Sequence, residues 1–424
     1  MTGIGFGAVL GLMLWAGAPD AAVAASSMEH DLDRLYGRVA TSDGESYEGY
    51  LRWDVNESHW TDVLDGLKEI PPEWEREAES LDPAFAAEQR RNRSLVAFGV
   101  RLTWDVDDDM GPRVSSSGIR FAHVRALEPI DARSVRVTLT TGEEITLHAS
   151  STDIGRAMRG LIVEVPGAET IEVRWRDLER VDFTEAPTSA APPVAERLYG
   201  TVETRSELSL TGFVSWDLDE ILGTDMLDGR EDGVDYEIPF AEVLRIEWES
   251  DRSARVFLRS GVELELRGTN DVNRDNRGIE VADPGFGRAI VSWDEFKSVD
   301  FDIPPEHPVR PSFDAGGPLL GTVSAVDGRV IEGEIRWGND KAQLWEFMSG
   351  GHRDVDFTIE FGAISSIHRV EDDRVAVVLR DGRRFELEDT PDVHARHRGV
   401  FVKPEGRPRR LVRWQDFDRV VFSR

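Results

Sequence analysis

In the stretch WDVNESHWTDVLDG, residues 53 to 66, Asp54, Asn56, Asp62 and Asp65 stand at positions 1, 3, 9 and 12 counted from Asp54, with Ser58 at position 5. This is the oxygen-ligand spacing of an EF-hand loop, which holds calcium through carboxylates and carbonyls. WDLDEILGTDMLDG (216–229) repeats the acids at Asp217, Asp219, Asp225 and Asp228 but places Ile221 at the fifth position. WGNDKAQLWEFMSG (337–350) keeps Asp340 and Glu346, with Gly338 and Ser349 in the first and last ligand places. The glycine that an EF-hand needs at its sixth position is missing from all three, where His59, Leu222 and Gln343 stand.

The same stretch also fits a short capped helix. Asn56, Asp219 and Asp340 occupy the place of an N-cap that accepts bonds from free backbone amides. Residues at helical spacing follow: Trp60, Val63 and Leu64; Gly223, Met226 and Leu227; Leu344, Phe347 and Met348. Gly66, Gly229 and Gly350 then stand at the stop position, where a left-handed residue is needed. The caps persist where the ligands do not. The spacing therefore predicts a capped helix, with calcium at the acids of the first two stretches as the alternative.

A second constellation lies further on. Asp153 and Arg159, Asp271 and Arg277, and Asp392 and Arg398 are each six residues apart, with a glycine after each arginine. They predict an Asp–Arg pair pinning a loop between strands, or else an anion site on the arginine. His394 and His397, beside Asp392, offer imidazoles to a transition metal, but Gly155, Met158, Asn273 and Asn276 hold the matching places elsewhere. Trp53, Trp216, Trp337, Trp175, Trp293 and Trp414 recur at strand ends and predict packing. Trp60, Trp104 and Trp345 are less regular and are the better candidates for exposure, where aromatic rings could stack on sugars. HExxH, GxSxG and P-loop patterns are all missing, and no carboxylate pair stands out as a hydrolase centre.

The elements carrying these residues are written three times. LYGRV (35–39), LYGTV (198–202) and LLGTV (319–323) open the copies, and VRWRDLERVDF, VSWDEFKSVDF and VRWQDFDRVVF close them. The copies span 35–184, 197–302 and 319–424, joined by linkers at 185–196 and 303–318 that are rich in proline and alanine. The first carries an insertion at about 67–115, in which Pro71-Pro72 opens one helix and Asp82-Pro83 a second that ends at Arg90, Arg91 and Arg93. A charged surface helix pair is expected there, with a partner-binding arm or a cover over a neighbouring barrel edge as the alternatives. SARVFLRSGVELELRG and RGIEVADPGFGRAIVSW read as hairpins, and WDEFKSVDF as a tight turn into a last strand.

Such short strands around glycine turns, with a helical turn before the final strand, resemble the SH3-like and Sm-like small barrels. The resemblance implies a mainly β fold of three tandem repeats, each of one or two small antiparallel barrels with a short capped helix. It implies nothing about function.

The chain has 424 residues, and 81 acidic against 50 basic side chains give a formal charge of −31, which repels nucleic-acid phosphate. No cysteine is present, which excludes disulfides and thiolate chemistry. IGFGAVLGLMLWAGA, followed by small residues up to Ala24, predicts a signal peptide or N-terminal anchor within 1–25, although no basic residue precedes it. No later stretch is expected to span a membrane. The expected protein is a secreted or periplasmic, non-enzymatic binding or scaffold protein, with an unknown protein or polymer partner in the cell envelope. The alternatives are a membrane-anchored form, a calcium-binding module using the acidic loops, and a hydrolase with a hidden carboxylate site.

Overall fold

The computed structural model describes residues 34–83, 94–97, 100–103, 114–191, 193, 195–304, 316–394 and 397–423. The N-terminal segment 1–25, Arg90, Arg91, Arg93 and Trp104 lie outside the described residues.

The chain is mainly β, in two large antiparallel sheets, with one α-helix among the described residues. The first segment holds β1 (Tyr36–Thr41), β2 (Ser46–Arg52), β3 (Val63–Glu69), α1 (Pro72–Leu81), β4 (Ser94–Ala97), β5 (Val100–Thr103) and β6 (Val114–Arg120). It continues with β7 (Val124–Pro129), β8 (Ser134–Leu139), β9 (Glu144–His148), β10 (Leu161–Glu164), β11 (Thr170–Val173) and β12 (Leu178–Thr184). The second holds β13 (Tyr199–Thr204), β14 (Ser209–Ser215), β15 (Met226–Glu231), β16 (Val234–Pro239) and β17 (Val243–Ser250). There follow β18 (Ser253–Leu258), β19 (Glu263–Arg267), β20 (Ile279–Asp283), β21 (Gly287–Val291) and β22 (Phe296–Asp302). The third holds β23 (Leu319–Ala325), β24 (Val330–Trp337), β25 (Phe347–His352), β26 (Val355–Glu360) and β27 (Ile364–Glu371). It ends with β28 (Arg374–Leu379), β29 (Arg384–Glu388), β30 (Val400–Lys403), β31 (Arg410–Val412) and β32 (Phe417–Phe422).

Strands of the first segment are ordered β11-β10-β2-β1-β12-β7-β8-β9-β3-β6. Those of the second run β21-β20-β14-β13-β22-β17-β18-β19-β15-β16. Those of the third run β31-β30-β24-β23-β32-β27-β28-β29-β25-β26. The hairpins expected at 253–268 and 279–291 form as β18–β19 and β20–β21.

The separate small barrels do not form: among the described residues no run of strands closes on itself. Each opening strand pairs with the closing strand of its segment, as β1 does with β12, so the two halves of a segment interleave. The edge-on tryptophans help to draw the ends together: Trp53 meets Trp175 at 6.4 Å, Trp216 meets Trp293 at 6.3 Å and Trp337 meets Trp414 at 5.9 Å.

The short capped helix is also overturned. Residues 54–62 make turns, and Gly66, Gly229 and Gly350 lie inside β3, β15 and β25 rather than beyond a helix end. Close packing explains these glycines: a Cβ on Gly350 would come within 2.6 Å of the Cβ of Leu387 on β29. The left-handed residues are instead Asp54 and Val55, Asp217 and Leu218, and Gly338, at the tight bend just after each tryptophan.

The segments are locked together. β21 pairs with β26, which joins the second and third segments into one sheet. The tip just before β21 enters the third segment, where Phe286 packs against Phe357 and Phe385 at 6.1 and 5.5 Å. Arg288 donates to both carboxylate oxygens of Asp65 at 2.8 and 2.7 Å, and lies 3.4 Å from Glu280. Arg120 and His123 meet Glu360 at 2.8 and 2.6 Å, and Arg52 meets Asp225 at 2.9 Å.

The insertion emerges from the turn between β3 and β6, and it contains the β4–β5 hairpin as well as α1. Pro72 starts α1, with Glu73 and Glu75 in the first turn, where carboxylates favour the helix dipole. Glu73 and Arg76 are exposed as the surface-helix reading expected, but the other face of the helix is not free. Glu77 pairs with Arg336 at 3.0 Å and Arg409 at 3.3 Å, Asp82 pairs with Arg413 at 2.8 Å, and the Trp74 ring lies 4.7 Å from the Arg336 guanidinium. α1 is a cover on the third segment.

Candidate functional site

Each acidic loop is built on a buried tryptophan. Trp53, Trp216 and Trp337 donate their indole N–H to the carbonyls of Asp153, Asp271 and Asp392 at 3.0, 2.9 and 3.1 Å. The carboxylates of these aspartates accept backbone N–H bonds from Asp65, Asp228 and Ser349 at 2.7, 2.7 and 2.8 Å. Trp175, Trp293 and Trp414 are equally buried and donate to the carbonyls of Asp131, Ser250 and Asp372.

The residues at calcium-ligand spacing are separated by this construction. Asp54 accepts from the Arg159 backbone N–H at 2.6 Å, and Asp217 from that of Arg277 at 2.5 Å. Asp62 accepts from the amides of Ser58 and His59 at 2.8 and 2.9 Å, and Asp225 from those of Ile221 and Leu222 at the same distances. Asn56 donates to the Leu218 carbonyl, Asp219 bridges Arg159 and Arg277, Asp65 is held by Arg288, and Asp228 is exposed. One calcium loop is not assembled from either set.

The expected Asp–Arg pairs are replaced by other partners. Arg159 takes Asp54, Arg277 takes Asp217 at 2.8 Å, and Arg398 meets Glu75 of α1 at 3.5 Å. This leaves Asp153, Asp271 and Asp392 to the backbone amides, with Asp153 also accepting from the Ser151 hydroxyl at 2.9 Å. His397 is a core ring, 4.8 Å from Trp337 and 4.7 Å from Trp414, and burial lowers its pKa to about 3. Trp60 and Trp345 are buried, not exposed, and Trp345 packs into the core of the first segment.

What the structure does assemble is a different carboxylate group. Asp217, Glu220 and Asp271 each offer a ligand oxygen, all within 4.8 Å of one another, the one such group of metal-binding type among the described residues. Burial, with Asp271 nearby, pushes Glu220 up to about 8, and burial pushes Asp271 up to about 6. In the first segment Glu57 follows the tryptophan at the same interval, is 9% exposed, and has a side-chain oxygen with no hydrogen-bond partner. Burial and Asp153 raise it well above the usual carboxylate range. In the third segment Lys341 takes this place, with its ammonium 3.1 Å from Asp340 and donating to the Ser116 carbonyl at 2.6 Å.

The matched series WDVNE, WDLDE and WGNDK carried that signal, at a position that ligand counting passes over. Chemically, the group can share a proton or accept a cation. The chain matches no protein-family model, no curated protein and no solved structure. Among the described residues no helix is long and apolar enough to cross a membrane.

Proposed function

We propose that the chain is an exported, non-enzymatic scaffold made of three copies of one β-rich unit, which presents related surfaces at fixed spacing to a protein or polymer of the cell envelope. The observation that carries this reading is the pairing order of the strands, which is the same when each segment is followed from its opening strand. The six tryptophans hold matching places in that order. Buried ion pairs and the β21–β26 ladder fix the copies relative to one another, and rigid spacing favours multivalent attachment because less freedom is lost at the second contact. The N-terminal apolar stretch supports export.

The test is crosslinking of the full-length chain in the intact envelope of its host, followed by the native mass of the captured complex. A scaffold captures one partner species at more than one site per chain. Recovery of the chain in the cytoplasm, or a single site per chain, refutes the reading.

A second reading, a calcium-binding module, is favoured by one observation, the convergence of Asp217, Glu220 and Asp271. It expects the melting temperature to rise with calcium and fall with EDTA in the parent chain, and to respond to neither in Glu220→Gln.

A further inference from the structure

The ladder between β21 and β26 has an unused counterpart on the outside of the molecule. β16 reads VDYEIP and β26 reads VDFTIE, and each follows its hairpin partner through a tight turn. β26 receives β21 along its outer edge, whereas among the described residues no strand pairs with the outer edge of β16. On the donor side, GRAIVSW around β21 corresponds to PRRLVRW around β31, with Trp293 and Trp414 fixing the alignment. β31 also has an unpaired outer edge among the described residues. An open row of N–H and C=O groups is a template for another strand.

We propose that β31 of one molecule adds antiparallel to β16 of a second copy of this chain. The register of β21 on β26 places Arg288 opposite Thr358, Ile290 opposite Asp356 and Val291 opposite Val355. Carried to the open strands, it sets Arg409 opposite Glu237, Leu411 opposite Asp235 and Val412 opposite Val234. Residues opposite one another share a face, so the exposed Arg407 comes to the side that bears Asp235 and Glu237, beside Arg409 and Arg413, which are already paired with Glu77, Glu334 and Asp82.

This charge match selects both strands. β11, the corresponding strand of the first segment, carries Glu172 where β31 has Leu411, and would set it against Asp235. β6, the counterpart of β16 in the first segment, is covered: Arg120 is bound to Glu360, and the Ser116 carbonyl accepts from Lys341.

The ladder is shorter than its internal precedent. Glu360 donates its backbone N–H to the Phe286 carbonyl at 2.7 Å, but Pro239 stands in its place and has no N–H. Gly287 adopts a φ of +143° against β26, and Pro408 stands there on β31. Both prolines fall at the same end, so the two strands stop pairing together. The contact is therefore reversible and leans on charge, and it is heterologous: each molecule offers one donor edge and one acceptor edge.

The proposal rests on the three-copy reading for its alignment, and its test is separate. Sedimentation velocity of the full-length chain at low salt is expected to show concentration-dependent growth beyond dimers, weakened at least about tenfold at high salt. Glu237→Arg and Arg407→Glu, both at exposed positions, each reduce association at least about tenfold while the circular dichroism spectrum is unchanged. Mixed together, the two variants associate more tightly than either does alone, because the intact β31 of one meets the intact β16 of the other and the two reversed charges are themselves complementary. A chain that stays monomeric, or variants that associate as the parent does, overturns the proposal. Neither result touches the scaffold reading, which falls only with the crosslinking experiment.

Discussion

Arg288 is the cation on which the junction of the segments turns, and Arg288→Met tests it. The side chain is 7% exposed and donates to both oxygens of Asp65 on β3, with Glu280 of β20 on its other side. Burial pushes both carboxyls up, and the guanidinium pulls both back. Methionine keeps the stem volume and removes the charge, which leaves two buried carboxylates unpaired at neutral pH. Breaking a buried pair from one side costs about 3–5 kcal/mol. The penalty belongs to the charged forms. In the variant the folded-state pKa of Asp65 rises further above its unfolded value of about 3.9, so its contribution is intact below that value and is lost as pH rises through the raised one. Urea unfolding followed by tryptophan fluorescence should therefore show a loss of about 3–5 kcal/mol near pH 8. Near pH 5 the loss should shrink to about 1–2 kcal/mol, the worth of the missing hydrogen bonds. Adding Asp65→Asn should recover part of the loss near pH 8 and little near pH 5. An equal loss at both pH values, or one below about 1 kcal/mol near pH 8, refutes the assignment of Arg288 as the compensating charge.

Phe286→Ala removes a ring that is 1% exposed and packed between Phe357 and Phe385, so a loss of about 3–5 kcal/mol in denaturant unfolding is expected, with faster amide exchange along β26. Glu220→Gln addresses the carboxylate group. With the folded pKa of Glu220 raised to about 8, its contribution is complete below its unfolded value near 4.3 and is lost as pH rises to 8. Thermal melts from acid to mildly alkaline pH should show the variant losing less stability than the parent across that window. Gly350→Ala drives a methyl group into Leu387 and should cost about 1–3 kcal/mol, whereas a C-terminal helix stop at this position would show its effect through φ, which is not left-handed here.

The hairpins β18–β19 and β20–β21 were legible because alternation on one face and a glycine turn are local signals, and both strands of each pair lie within a few residues. β3 was not legible as a strand. Its first five residues, Val63 to Leu67, are all buried, so no alternation marks it, and Trp60, Val63 and Leu64 happen to satisfy helical spacing. The pairing of β1 with β12 leaves no trace in periodicity at all, because a period of two names a face and not a partner. Barrels made of consecutive strands were the expectation that assumes neighbours in sequence are neighbours in the sheet.

The acidic excess follows the same logic. Spacing within a loop suggested ligands gathered around an ion, yet the cations that meet these acids come from distant parts of the chain. Arg197 is 3.3 Å from Asp62, Arg52 is 2.9 Å from Asp225, and Arg288 is 2.7 Å from Asp65. Each is an arginine that crosses from one segment to another: Arg52 serves Asp225 with two parallel donors, Arg288 serves both oxygens of Asp65 from one nitrogen, and Arg197 reaches Asp62 while also donating to the Ile221 carbonyl and the Ser215 hydroxyl. An acid that waits for a cation from elsewhere in the fold looks, in sequence, like an acid that waits for a metal. Lys341 separates the two cases, because at the position of Glu57 and Glu220 the chain supplies its own ammonium once and leaves a carboxyl twice. Glu57, buried, and Glu220, half-buried, are then the places where proton or cation uptake still has a choice, while Asp62, Asp65 and Asp225 beside them are already bound by arginines of another segment.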